Sequence, residues 1–142
     1  MKDALIQNIE KFLLELGTGF AYMGREYRIL IGTEEKFIDM LFYNVNLRCY
    51  VVIEVKIDKF DASYLGQLGL YVSSINHLMK KETDNPTIGL LVCKSKDNIV
   101  AKYSLETSSV PIGISEYELQ KIYPKDFKSS LPSIEEIEKT LL

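Results

Sequence analysis

Two neighbouring apolar stretches, Phe37–Tyr43 and Cys49–Ile57, carry charge where a buried sheet normally excludes it. Asp39 stands among Ile38, Met40, Leu41 and Phe42, and Glu54 and Lys56 are separated only by Val55. Both stretches are rich in β-branched and aromatic residues, so they read as adjacent strands of a hairpin. An ionised group buried without a partner is costly. These charges must therefore be paired, hold a metal, or lie on a wet rim. The rest of the chain has to be compatible with one of those outcomes.

Alternation along a strand puts Val51, Ile53, Val55 and Ile57 on one face, and Tyr50, Val52, Glu54 and Lys56 on the other. With a two-residue loop at Val45-Asn46, Asp39 opposes Val52 and lies diagonal to Glu54 on the same face, about 7 Å away at Cα. A bulge, or a loop one residue different, would turn one set to the wrong face. In the favourable register Asp39, Glu54 and the Val55 carbonyl offer the hard oxygen ligands that Mg²⁺ prefers, with Mn²⁺ as a substitute. Lys56 shares the face of Glu54. It is placed to orient or deprotonate an attacking water and to offset charge building on a phosphorane. The hairpin thus has the makings of a metal-dependent phosphodiesterase site.

The remaining elements follow from periodicity. Asp3 to Leu16 predicts a helix with an apolar stripe at Leu5, Ile6, Ile9, Phe12, Leu13 and Leu16, stopped by Gly17. Glu10 and Glu15 flank that stripe on opposite sides, and helical geometry does not choose between them. Phe20 to Ile31 predicts a strand interrupted at Gly24-Arg25-Glu26, where a glycine points to a bulge. Asp61 is placed to cap a helix from Ala62 to about Lys80. Leu65, Leu68, Val72, Ile75 and Met79 form its docking stripe, and Tyr64, Gln67 and Tyr71 a second row. Gln67, near the start of that helix, is a candidate to face the strand end carrying Lys56. His77 lacks a ligand-spaced partner and reads as structural. Thr87–Cys93 predicts a buried parallel strand, Ile99–Leu105 a short helix and Pro111–Ser115 a last strand. Ser133 and Glu136 form a capping box for a terminal helix.

The order helix, three antiparallel strands, helix, strand, helix, strand is α/β, with a mixed sheet covered on both faces. The 142 residues suffice for a single domain, 1–142, with a real core. No apolar run is long enough to cross a bilayer, and the N-terminus lacks the features of a signal peptide. Cys49 and Cys93 lie apart in apolar settings and read as buried thiols of a reducing compartment, so a cytoplasmic location is expected. The net charge of −3 argues against a protein that coats DNA through its global field. It argues less against a nuclease, whose metal site must be acidic.

Asp39, Glu54-Val-Lys56 and Gln67, in that order on those elements, resemble the PD-(D/E)XK nuclease superfamily. The likeness to the nuclease domain of the bacterial YhcG-like proteins is closer still. It runs through Leu13-Leu-Glu-Leu-Gly17, Phe20-Ala-Tyr-Met-Gly-Arg25, Phe37–Tyr43, Val52–Ile57, Lys59-Phe60, Gly66-Gln67, Asn85-Pro86 and Ile88-Gly89. The resemblance implies a restriction-endonuclease-like core, metal-dependent DNA cleavage and kinship to Holliday-junction resolvases, hence branched DNA as a substrate and homodimers as an expected assembly. It also implies that a first-helix glutamate joins the site, for which Glu10 is the candidate. Ile38 stands where the name-giving proline would be, which leaves the catalytic acid in place. YhcG-like proteins carry an additional N-terminal domain, so the chain is expected to be the C-terminal part of a longer protein. Two other readings compete with the nuclease: a non-cleaving module that binds nucleic acid or protein, and a simple Glu54–Lys56 ion pair on a sheet rim.

Overall fold

The computed structural model describes residues 2–15 and 19–116. The elements are α1 (Lys2–Glu15), β1 (Phe20–Ile31), β2 (Glu34–Asn44), β3 (Cys49–Val55), α2 (Ser63–Leu78), β4 (Ile88–Cys93), α3 (Asn98–Glu106) and β5 (Ile112–Glu116). They form one sheet in the order β1-β2-β3-β4-β5. β1, β2 and β3 pair antiparallel, and β3, β4 and β5 pair parallel, with α2 and α3 as the crossovers. This is the expected α/β order and mixed sheet.

Each face of the sheet has its own core. On one, Leu5, Ile6 and Ile9 of α1 pack against Met40, Phe42, Val51, Ile53 and Val55. On the other, Leu65, Leu68, Val72 and Ile75 of α2 pack against Ile38, Leu41, Val52 and Leu91. Every residue of β4 is buried, which its unbroken apolar run requires of a central parallel strand. Gly89 is what lets α2 lie close to β4. A Cβ there would sit 2.8 Å from Val72 Cγ2 and 3.0 Å from Leu68 Cγ.

Several boundaries differ from the sequence reading. β2 begins at Glu34, because the hairpin from β1 closes through Gly32 (φ 61°) and carries its polar residues out past the core. The anticipated bulge in β1 lies between Tyr22 and Gly24, with Gly24 at φ 153°. Ala62, not Asp61, is the N-cap of α2. The Asp61 carboxylate accepts from the Ser63 amide at 2.8 Å and so reaches the first helical residue from one position earlier. Cys49 and Cys93 are free and buried, and burial pushes both thiols up to about 11. His77 is exposed in the last turn of α2. No described helix is long and apolar enough to cross a membrane. The Gly17 stop and the helix opened by Ser133 and Glu136 lie outside the described residues.

Candidate active site

The β2–β3 register decides which groups meet. Asn44 pairs with Cys49 and Met40 with Ile53, so the connection is the four residues 45–48 rather than Val45-Asn46 alone. Asn44 explains the difference. Its Oδ1 accepts from the amides of Asn46 (3.0 Å) and Leu47 (2.9 Å), and Arg48 completes the turn in the left-handed region at φ 52°. The longer turn brings Asp39 level with Glu54, where the shorter loop would have set it opposite Val52.

Beyond the Met40–Ile53 pair the two acids take over from the ladder. Glu54 Oε2 accepts from the Asp39 amide at 2.7 Å, and Asp39 Oδ2 accepts from the Val55 amide at 2.8 Å. Each side chain thus satisfies the backbone of the opposite strand, while Asp39 Oδ1 and Glu54 Oε1 are not used in these bonds. β2 also rotates here: Ile38 packs on the α2 side and Met40 on the α1 side, although plain alternation would give them the same face. On β1, between the residues that pair with Met40 and Ile38, Glu26 adopts φ 46°, a left-handed conformation uncommon for a non-glycine residue.

Glu54 is only 4% exposed, and its carboxyl is pushed up to about 7. Burial is the largest cause and the charge of Asp39 the next; the Asp39 amide, Lys56 and Lys2 pull the other way. Lys2, at the start of α1, places Nζ 3.2 Å from Asp39 Oδ2. Sequence reasoning passed over Lys2, because only the docking of α1 across the sheet brings it to β2.

Lys56 follows β3, and its amide donates to Val92 O at 2.8 Å, which holds its backbone against β4. Its Nζ donates to Gln67 Oε1 at 3.1 Å and lies 5.1 Å from the centre of the Tyr64 ring. Gln67 Nε2 in turn donates to the hydroxyl of Tyr71 at 3.2 Å, and Tyr71 is buried. The second row of α2 therefore orients the lysine. Asp39, Glu54, Lys56 and Gln67 are brought together at one sheet end. Glu10 is not brought to them: its carboxylate accepts from the Tyr22 hydroxyl on β1. The side chain of Glu15 lies outside the described residues.

Among the described residues no group of three or more His, Cys, Asp or Glu side chains could hold a metal. The donor set is two adjacent carboxylates, each with an oxygen to spare, and the neighbouring carbonyl of Val55. That set fits Mg²⁺, which takes one or two carboxylates and keeps several waters. It would also offset the burial and the Asp39 charge that together leave Glu54 reluctant to ionise.

Comparison with known proteins bears on the family and the fold. A relative from Escherichia coli (strain K12), named "Putative nuclease YhcG", is 34% identical over 119 residues, which is 84% of this chain and 32% of the relative. The chain thus spans about a third of the length of that relative. Among solved structures, a repair endonuclease from Pyrococcus abyssi superposes with a TM-score of 0.56 at 20% identity, covering 79% of this chain and 46% of the other. EndoMS in its apo form gives 0.52 at 21% identity, covering 79% and 45%. At such identity the two structures speak for an endonuclease-like fold alone. Residues 1–132 match the family described as YhcG PDDEXK nuclease domain. The chain belongs to that family.

Proposed function

We propose that the chain is a metal-dependent DNA endonuclease domain that hydrolyses phosphodiester bonds, with branched DNA among its substrates. The observation that supports this best is the reciprocal clasp of Asp39 and Glu54 beside a lysine held by Gln67. Asp39, Glu54 and the Val55 carbonyl would hold Mg²⁺ or Mn²⁺, which when bound supplies Lewis-acid polarisation of a phosphoryl oxygen and a more acidic water. Lys56 is the catalytic cation: with one hydrogen bond committed to Gln67, it has donors left to orient the attacking water and offset charge on the phosphoryl oxygens. Gln67 is a positioning residue that acts through Lys56. Glu10 is assigned a lesser role in the site, since Tyr22 engages its carboxylate. The proposed partners are DNA, a second copy of the chain to cut the second strand, and the N-terminal domain expected in YhcG-like proteins.

The test is cleavage of plasmid and branched DNA with Mg²⁺ or Mn²⁺, comparing the wild type with Asp39→Ala, Lys56→Ala and Glu10→Gln. Loss in the first two and a smaller change in the third is the expected result. Cleavage that survives both Asp39→Ala and Lys56→Ala would overturn the assignment. An acidic chain, with a sequence pI near 5.3, also favours a second reading as a non-cleaving interaction module. A metal-induced thermal shift that Asp39→Asn abolishes is not expected of such a module.

A further inference from the structure

The lysines near the site have an arrangement that the net charge of the chain conceals. The segment after β3 runs beside the segment after β4. Lys94 N donates to Asp58 O at 3.0 Å, Phe60 N donates to Ser95 O at 2.7 Å, and Lys59 bridges Ser95 in parallel fashion. This pairing extends the rim that begins at Lys56 and carries it across to the start of α3. Residues 56–61, 94–98 and 102, with Glu116 beside Cys93 at the end of β5, contain Lys56, Lys59, Lys94, Lys96 and Lys102 against Asp58, Asp61, Asp97 and Glu116, a local balance of +1 in a chain of −3.

All four acids on this rim are exposed, but two of them commit carboxylate oxygens to backbone amides. The Asp97 carboxylate caps α3, accepting from the amides of Ile99 (2.9 Å) and Val100 (3.0 Å), and Asp61 accepts from Ser63 N. The lysines are turned outward. Lys59, Lys94 and Lys102 are exposed, and none has an ion-pair partner among the described residues. Lys96 and Lys102 border a cleft of about 430 Å³ against α3 and β5, where Lys96 Nζ donates to Asn98 Oδ1. Lysines at the surface of this rim, with Lys59 close enough to Asp97 to act on its charge, suit a polyanionic ligand that approaches beside Lys56.

We propose that Lys59, Lys94, Lys96 and Lys102 form a track for the phosphate backbone of duplex DNA, leading from the Asp39–Glu54 site along the C-terminal ends of β3 and β4 to α3. The proposal rests on the nuclease reading for its substrate, but it concerns binding and can be tested without cleavage. On this track the global charge does not draw DNA in. The local lysines do, by displacing counterions from the phosphates they meet.

The test is fluorescence anisotropy of a labelled duplex across a sodium chloride titration, with Asp39→Asn as the parent and a chelator present, so that no strand is cut. The triple variant Lys59→Ala, Lys94→Ala, Lys102→Ala is expected to flatten the dependence of log affinity on log salt by about two to three, roughly 0.9 per lost phosphate contact. Lys80→Ala with Lys81→Ala, in the loop after α2 at the opposite end of the sheet, is expected to leave the slope unchanged. An unchanged slope in the triple variant, equal flattening in the control, or no binding by the parent would each overturn the track. Cleavage by the wild type alongside an unaltered slope would sink the track and spare the nuclease reading. Rim-dependent binding without any metal-dependent cleavage would do the reverse.

Discussion

The two ends of the β2–β3 hairpin are both polar, and they handle polarity in opposite ways. At the turn end Asn44 is fully buried and spends its Oδ1 on two amides of its own turn. Asn85 of the α2–β4 loop then ties that turn down, with its amide on Arg48 O at 2.7 Å and its Nδ2 on Leu47 O at 2.7 Å. Tyr43 adds a bond to Asp84 at 2.5 Å, which pushes the tyrosine up to about 12. At the open end Asp39 and Glu54 also bond to amides, yet keep oxygens in reserve and repel each other. The closed end holds the register. The open end stays chemically unfinished, and a ligand site requires that.

The largest effect should come from the open end. Asp39→Ala or Lys56→Ala is expected to lower cleavage by about 10³-fold, within the range for losing a general acid–base group or a charge-stabilising donor. Turn-end variants should leave the activity of the folded protein intact. Similar losses of turnover at both ends would erase the contrast.

Next comes Glu54, whose cost appears in stability. Its carboxyl lies near 4.5 in an unfolded chain and about 7 in the folded one, so the folded state binds the extra proton between those values. In metal-free protein, stability should therefore fall as pH rises across that window, with a penalty of at most about 3 kcal/mol fully present above it. Glu54→Gln keeps an oxygen for the Asp39 amide and removes the charge. Urea melts of the variant should show higher stability at pH 8 and no slope through the window. A variant no more stable than wild type at that pH would show that burial and the Asp39 charge do not penalise ionised Glu54.

Asn44→Ala tests the closed end. It removes two hydrogen bonds to turn amides, which is expected to cost about 1–3 kcal/mol in the same melts. The Asn44 Nδ2 group lacks a hydrogen-bond partner among the described residues, and its removal tempers that loss. Smallest is Gln67→Ala. Releasing Lys56 from its holder should lower turnover by about tenfold with little change in melting, in line with outer-shell effects at metal sites. If Gln67→Ala matched Lys56→Ala, the glutamine would have to touch the reacting groups itself.

Much of this was legible before any fold was known, for local reasons. Charges inside apolar β-runs marked Asp39, Glu54 and Lys56, and helical spacing put Gln67 in a row with Tyr64 and Tyr71. The run of β4 announced a central strand. What was not legible depended on contacts between distant segments. The register rested on how Asn44 folds its own turn, so a two-residue loop was a reasonable expectation that the side chain overruled. Lys2 reaches Asp39 only because α1 crosses the sheet at that angle, and Glu10 goes to Tyr22 for the same reason. The rotation of β2 at Asp39 breaks the alternation on which strand reading depends.

By itself, then, the sequence determined which residues could not be ordinary core and which elements would carry them, because burial cost and periodicity are local properties of a chain. Only the tertiary structure decided that Asp39 meets Glu54 directly and that each acid holds the other's strand. Those outcomes depend on register and helix docking, which are set by a turn and by packing on both faces at once.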